Sequence, residues 1–293
     1  MASHSSASVG AALTAYLRHQ VAELVELDAA VRADAPDSVH RMRVCVRRLR
    51  SALTAHRRLL RRRHTDPLAE ELRLLGQVLG HARDAEVLGQ RLATQATGLA
   101  PQAHPEELAA RIRDRFEHRY TAAHRAAVHT LDSERYGALL AALTETADHP
   151  PLRGRAARGR AEAKRVLRRE RRRTLGRARA AFERPPGPDR DGELHRARKA
   201  AKRARYTAES MLPLTGAAGA RCAQRMKQLQ QALGRYQDGV VAEQAVLALA
   251  TEARAHGEDT FAYGLLYATQ RPDAEAALTT AAEALHIRTP EVG

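Results

Sequence analysis

The chain repeats itself, and the repeat limits what it can fold into. His40-Arg41-Met42-Arg43 returns as His195-Arg196-Ala197-Arg198, and Arg47-Arg48-Leu49-Arg50 returns as Lys202-Arg203-Ala204-Arg205, both 155 residues later. Downstream, Leu79-Gly80-His81-Ala82-Arg83-Asp84 returns as Leu233-Gly234-Arg235-Tyr236-Gln237-Asp238 at an offset of 154, which also maps Leu75 onto Leu229. Two motifs in the same order, with a slip of one residue, describe a duplicated supersecondary unit. The expected copies span 10–149 and 152–288, with Pro150-Pro151 as the joint.

Each copy reads as helical. Ala, Leu, Arg, Glu and Gln are strong helix formers, and no run of β-branched residues alternates with period two. Prolines and glycines mark helix ends, which predicts helices near 11–33, 38–64, 67–98, 105–128, 133–147, 155–184, 192–211, 216–252 and 257–286. The expected fold is all-α, with two helical bundles related by a pseudo-twofold repeat.

On a helix the first motif sorts its residues by chemistry. His40, Arg43, Arg47 and Arg50 fall within roughly an 80° arc, while Met42, Val46, Leu49 and Leu53 lie on the opposite side. The second copy repeats the arc as His195, Arg198, Lys202 and Arg205, and the opposite stripe as Ala197, Ala201, Ala204 and Ala208. Each helix would dock by its apolar stripe and present cations one turn apart. Like charges so spaced repel unless an anion neutralises them. A chain of phosphates would do so, since the planar fork of arginine fits phosphate oxygens and each contact releases a counterion. Arg158, Arg165, Arg168, Arg169 and Arg172 fall within roughly a 100° arc on the helix before the second ladder and add a third basic face, from which Arg165, Arg169 and Arg172 are candidate ligand-binding residues. A nearby polyanion would favour the charged form of the two histidines.

Charge is placed as the motifs suggest. Lys and Arg together number 49 against 34 acids, and only four of the 49 are lysine. Segment 151–205 is net +15 and segment 40–63 net +10, so the rest of the chain is net negative. A GC-rich genome accounts for arginine over lysine but not for this clustering, which reads as a polyanion surface. Aromatic rings in the basic stretches are confined to Tyr206 and Phe182. Single-stranded nucleic acid is held largely by bases stacked on rings, so their scarcity favours an anion made of phosphates alone.

Other chemistry is not signalled. Cys45 and Cys222 stand far apart, which excludes a disulfide framework and a cysteine zinc site and fits a reducing, cytoplasmic compartment. There is no GxxxxGK[ST], GxGxxG or HExxH, and no long apolar window or secretory leader. No cofactor, metal or catalytic residue is expected. Gly80 and Gly234 are read as close-packing positions, Asp84 and Asp238 as partners of ladder arginines. Arg61-Arg62-Arg63-His64 is read as a solvated helix C-terminus.

His-x-x-Arg, Arg-Arg-x-Arg and Leu-Gly-x-x-x-Asp, twice over, resemble the conserved histidine α-helical domain, CHAD, along nearly the whole chain. The resemblance implies paired helical bundles, a basic groove or channel, and binding of inorganic polyphosphate at His40, Arg43, Arg47 and Arg50 and at His195, Arg198, Lys202 and Arg205. It also implies association with polyphosphate granules. Relatives often carry more lysine, and many carry a fused triphosphate-tunnel domain for which no residues remain here. The expected function is therefore polyphosphate binding without catalysis, with no membrane partner. Alternatives of other classes are a nucleic-acid-binding protein and a phosphate-chain hydrolase.

Overall fold

Apolar stripes at helical spacing account for nearly every element of the fold. The computed structural model describes residues 8–285. In chain order its helices are α1 (Val9–Arg32), α2 (Ser38–Ala55), α3 (Arg62–Ala96), α4 (Pro105–Leu131), α5 (Glu134–Asp148), α6 (Arg160–Phe182), α7 (Pro188–Ser210), α8 (Leu212–Thr215), α9 (Ala217–Ala255), α10 (Phe261–Ala268) and α11 (Gln270–Leu285). Short 3-10 turns occupy Pro101–Ala103 and Gly154–Ala157. Among the described residues there is no strand, so the fold is all-α as expected. The Ser8 hydroxyl caps α1 by accepting from the Ala11 amide at 3.1 Å, and Ser133 caps α5 in the same way.

The expected helix 38–64 is interrupted. It ends at Ala55, the chain turns through residues 56–59, and Leu60 forms an isolated antiparallel bridge with Leu152; Leu59 and Leu60 are both buried. There the Arg61 amide donates to the Pro151 carbonyl and the Arg153 amide to the Leu59 carbonyl, each at 2.8 Å. The double-proline segment cannot use its own N–H groups for a helix, so its neighbours bond across to 59–61. Arg62 then starts α3, so Arg61–Arg63 stand at a helix N-terminus and not at a C-terminus. Their sequence carries no signal of this partner segment. The predicted helix 257–286 is likewise split, with a cap at Thr269 between α10 and α11.

Two compact units share the chain. Among the described residues, the first contains those up to Arg83, Ala122–Thr174 and Ala200–Lys227; the second contains Asp84–Thr121, Leu175–Lys199 and those from Gln228 onward. Each takes segments from both halves of the sequence, so this spatial division and the repeat 10–149 and 152–288 partition the chain differently. In the first unit α1 packs on α2 and α5. Gly10 lets α1 approach the 3-10 turn closely: a Cβ there would lie 3.0 Å from the Ala156 carbonyl oxygen. In the second unit Leu92, Ile112, Phe116, Val246, Leu249, Tyr263 and Leu266 form a buried cluster.

Candidate functional site

The ladder of α2 stands where the periodicity puts it. Met42, Val46, Leu49 and Leu53 are buried, while His40, Arg43 and Arg47 are half-buried and Arg50 is exposed. On α7 the opposite stripe of Ala197, Ala201, Ala204 and Ala208 is equally buried, and His195, Arg198, Lys202 and Arg205 are half-buried. His195 and Arg198 belong to the second unit, Lys202 and Arg205 to the first.

In the first unit the head of the α2 ladder is a knot of positive charge. Burial lowers the His40 imidazole below its ordinary value, and Arg83, Arg47 and Arg43 push in the same direction, while Asp37 opposes them. The free protein therefore disfavours the charged form of His40. The charged histidine expected from the sequence requires an anion to offset those arginines. Arg83 joins the cluster from α3, and its guanidinium lies 3.5 Å from the Asp37 carboxylate. Sequence reading passed over Arg83 because its repeat counterpart, Gln237, is uncharged. Further along the ladder, burial and the nearby Arg73 lower Arg50.

The two repeated motifs are joined by contact. A Cβ placed on Gly80 would lie 3.4 Å from Nη2 of Arg43 and 3.6 Å from its Cζ and Nε. In the second unit, a Cβ on Gly234 would lie 3.2 Å from Nε of Arg198 and 3.7 Å from its Nη2. In both copies the His-x-x-Arg guanidinium rests over the glycine of Leu-Gly-x-x-x-Asp. The glycine thus admits a cation against the helix backbone, a more specific role than the close helix packing expected for it. Arg198 also faces Asp238 at 4.0 Å, the pairing expected for that acid.

Other predicted cations are partly committed to the fold. Arg169 donates to the Ala55 carbonyl at 2.7 Å and to Glu170 at 3.2 Å, tying α6 to the end of α2. Arg203 donates to the buried Glu170 at 2.8 Å, so that acid binds two helices. Arg205 donates to Glu209 at 2.7 Å and lies over the Tyr206 ring. Arg165 sits 4.0 Å from Glu162, and Arg172 is exposed. The two rings of the basic stretches are buried, Tyr206 beside Arg48 and Arg205, and Phe182 beside Arg190. Neither offers a face to a nucleobase.

Among the described residues no group of three or more His, Cys, Asp or Glu is placed to hold a metal ion. No described helix is long and apolar enough to cross a membrane.

Comparison with known proteins converges on one family. The model of the CHAD domain family matches residues 15–247. Proteins of Mycobacterium tuberculosis, from strains CDC 1551 / Oshkosh and H37Rv and described only as uncharacterized, are 39% identical over 259 residues. That alignment covers 87% of this chain and 49% of theirs, so the chain spans about half the length of the curated relatives it matches. The crystal structure of the CHAD domain from the plant Ricinus communis superposes with a TM-score of 0.71 at 28% identity, covering 99% of this chain and 96% of that one. PptA from Streptomyces chartreusis superposes with a TM-score of 0.78 at 23% identity over 96% of this chain and all of that one, a likeness of fold.

Proposed function

Given that the chain belongs to the CHAD family, we propose that it binds inorganic polyphosphate through its two His/Arg/Lys ladders and does so without catalysis. The observation that carries this reading is the repeated seat of Arg43 over Gly80 and of Arg198 over Gly234. Each seat fixes a guanidinium against a helix backbone, which limits the conformational freedom it loses on binding. Around the first seat, Arg47 and Arg83 add cationic donors that an anion would neutralise, and His40 adds a donor whose charged form the anion would favour. Arg172 and Arg165 extend the basic surface on α6, and Arg50, Lys202 and Arg205 extend the ladders.

Burial of the rings of the basic stretches weighs against single-stranded nucleic acid and supports a phosphate chain as the ligand. Base stacking on such rings would contribute about 1–3 kcal/mol per base. Inside a cell the same surface would bring the protein to polyphosphate granules.

A titration against polyphosphates of increasing length tests the reading. Two ladders acting on one chain raise the effective concentration of the second contact, so a long chain binds far more tightly than pyrophosphate or ATP. Salt weakens that binding steeply. Equal affinity for pyrophosphate and a long chain contradicts the proposal, as does phosphate release during incubation.

A further inference from the structure

The basic surface of α6 extends beyond the predicted arc. Lys164, Arg168 and Arg171 stand at i, i+4 and i+7 on a face centred roughly 100° from that of Arg165, Arg169 and Arg172, with Arg168 at the edge of the predicted arc and Lys164 and Arg171 beyond it. With Arg221 and Arg225 from the start of α9, they rim a cavity of about 350 Å³ within the first unit. All five side chains are exposed, and none forms an ion pair with a described carboxylate.

The floor of the cavity has the opposite character. Leu167 and Met226 are buried there, and Ala218 completes an aliphatic patch. Thr215 donates its hydroxyl to the Met211 carbonyl at 2.8 Å, within its own turn. Cys222 is half-buried on the same lining, and burial raises its thiol pKa despite the neighbouring Arg171 and Arg225, so it stays an uncharged, apolar group.

We propose that this cavity binds an amphiphilic organophosphate, with an aliphatic body on the floor and a multiply charged phosphate head among the rim cations. A chain of phosphates alone has nothing to place against Leu167 and Met226. A neutral hydrocarbon leaves five like charges without a counterion. The rim selects a head with more than one negative charge, since each phosphate oxygen matches an arginine fork. The lining holds no aromatic ring, which favours an alkyl or acyl body over a flat base. The volume lies within the range of small-molecule sites, about 300–1,000 Å³, and is too small for a partner helix. The proposal is independent of the ladders, because none of its cations belongs to them.

Cys222 reports occupancy. Cys45, the other cysteine, is fully buried and its thiol donates to the Gln20 carbonyl, so a thiol reagent reads Cys222 first. The rate of Cys222 modification is measured on the full chain with decyl phosphate, decanol, inorganic phosphate and long-chain polyphosphate. Decyl phosphate is expected to slow modification at least tenfold and saturably, and the other three to have little effect. The variant R168Q/R171Q/R225Q, with its helix content checked by circular dichroism, is expected to lose that protection. Absence of protection by decyl phosphate overturns the proposal. Equal protection by decanol reduces the cavity to an apolar crevice, and equal protection by polyphosphate makes it part of a polyanion surface; either also overturns it. Polyphosphate affinity is read separately by titration, so failure here leaves the ladder proposal standing.

Discussion

His56 should make the stability of this protein fall on acidification in a way that can be assigned to one side chain. It is 1% exposed, at the end of α2. Its Nε2 lies 3.0 Å from the Ser210 hydroxyl, which itself donates to the Thr207 carbonyl at 2.9 Å. Ser210 has one proton and gives it to Thr207, so Nε2–H of His56 donates to Ser210. Nδ1 is buried without a hydrogen-bond partner among the described residues. A second proton would therefore enter a dry site with no acceptor. Burial, with the Arg169 charge close by, lowers the imidazole to about 3. The folded value is below the unfolded one, so the folded state refuses a proton that the unfolded chain accepts. Stability is full above the ordinary histidine value and falls as pH drops toward the folded value. The slope is about 1.4 kcal/mol per pH unit, so the loss between pH 7 and pH 5 is about 2 kcal/mol. Urea denaturation of the wild type and of His56→Gln at both pH values isolates this term, because other titrating groups cancel in the difference. The Gln side chain keeps a donor for Ser210 and does not titrate. A difference between the two proteins that does not change with pH would refute the reasoning, as would an NMR titration showing His56 charged at pH 5.

Two further outcomes follow from the same geometry. A Cβ on Gly89 would lie 2.4 Å from the Cβ of Phe116, whereas one on Gly137 meets nothing within 4 Å; Gly89→Ala should lose about 1–3 kcal/mol to overpacking and Gly137→Ala should gain about 0.5–1 kcal/mol, both read by urea denaturation. Because burial and three arginines lower His40 in the free protein, an anion that offsets those arginines raises it; polyphosphate affinity should then increase as pH falls from 8 to 6 and continue to increase below 6, and isothermal titrations giving a flat profile would make His40 a buttress that never donates as a cation.

The all-α class and the helix faces were legible because they rest on local periodicity. Met42, Val46, Leu49 and Leu53 are buried as a period of 3.6 requires, and the alanine stripe of α7 is buried likewise. The break after Ala55 was not legible, since it depends on hydrogen bonds between 59–61 and 151–153. Sequence distance hides such a partner. The ladder residues were found by repetition, but repetition gave no measure of commitment. Arg169 and Arg205 read the same as Arg172, yet the first bonds Ala55 and Glu170 and the second bonds Glu209. Arg83 escaped because it stands 43 positions from His40 and its counterpart is neutral. The role of Gly80 and Gly234 as seats for Arg43 and Arg198 needs the helices side by side, and only the three-dimensional arrangement supplies that.

The central claim is that polyphosphate is held by placed donors and not by charge in bulk. It is tested most directly by comparing two variants of equal formal charge, Arg43→Gln with Arg198→Gln, and Arg61→Gln with Arg62→Gln. The first pair removes the guanidiniums seated over Gly80 and Gly234, while the second removes two exposed cations near the start of α3. Charge-assisted hydrogen bonds contribute about 1.5–3 kcal/mol each, against a fraction of that for screened surface charge. Affinity for long-chain polyphosphate, measured at one salt concentration, should fall at least a hundredfold in the first variant and less than tenfold in the second, with circular dichroism unchanged in both. Equal losses in the two variants would contradict the account.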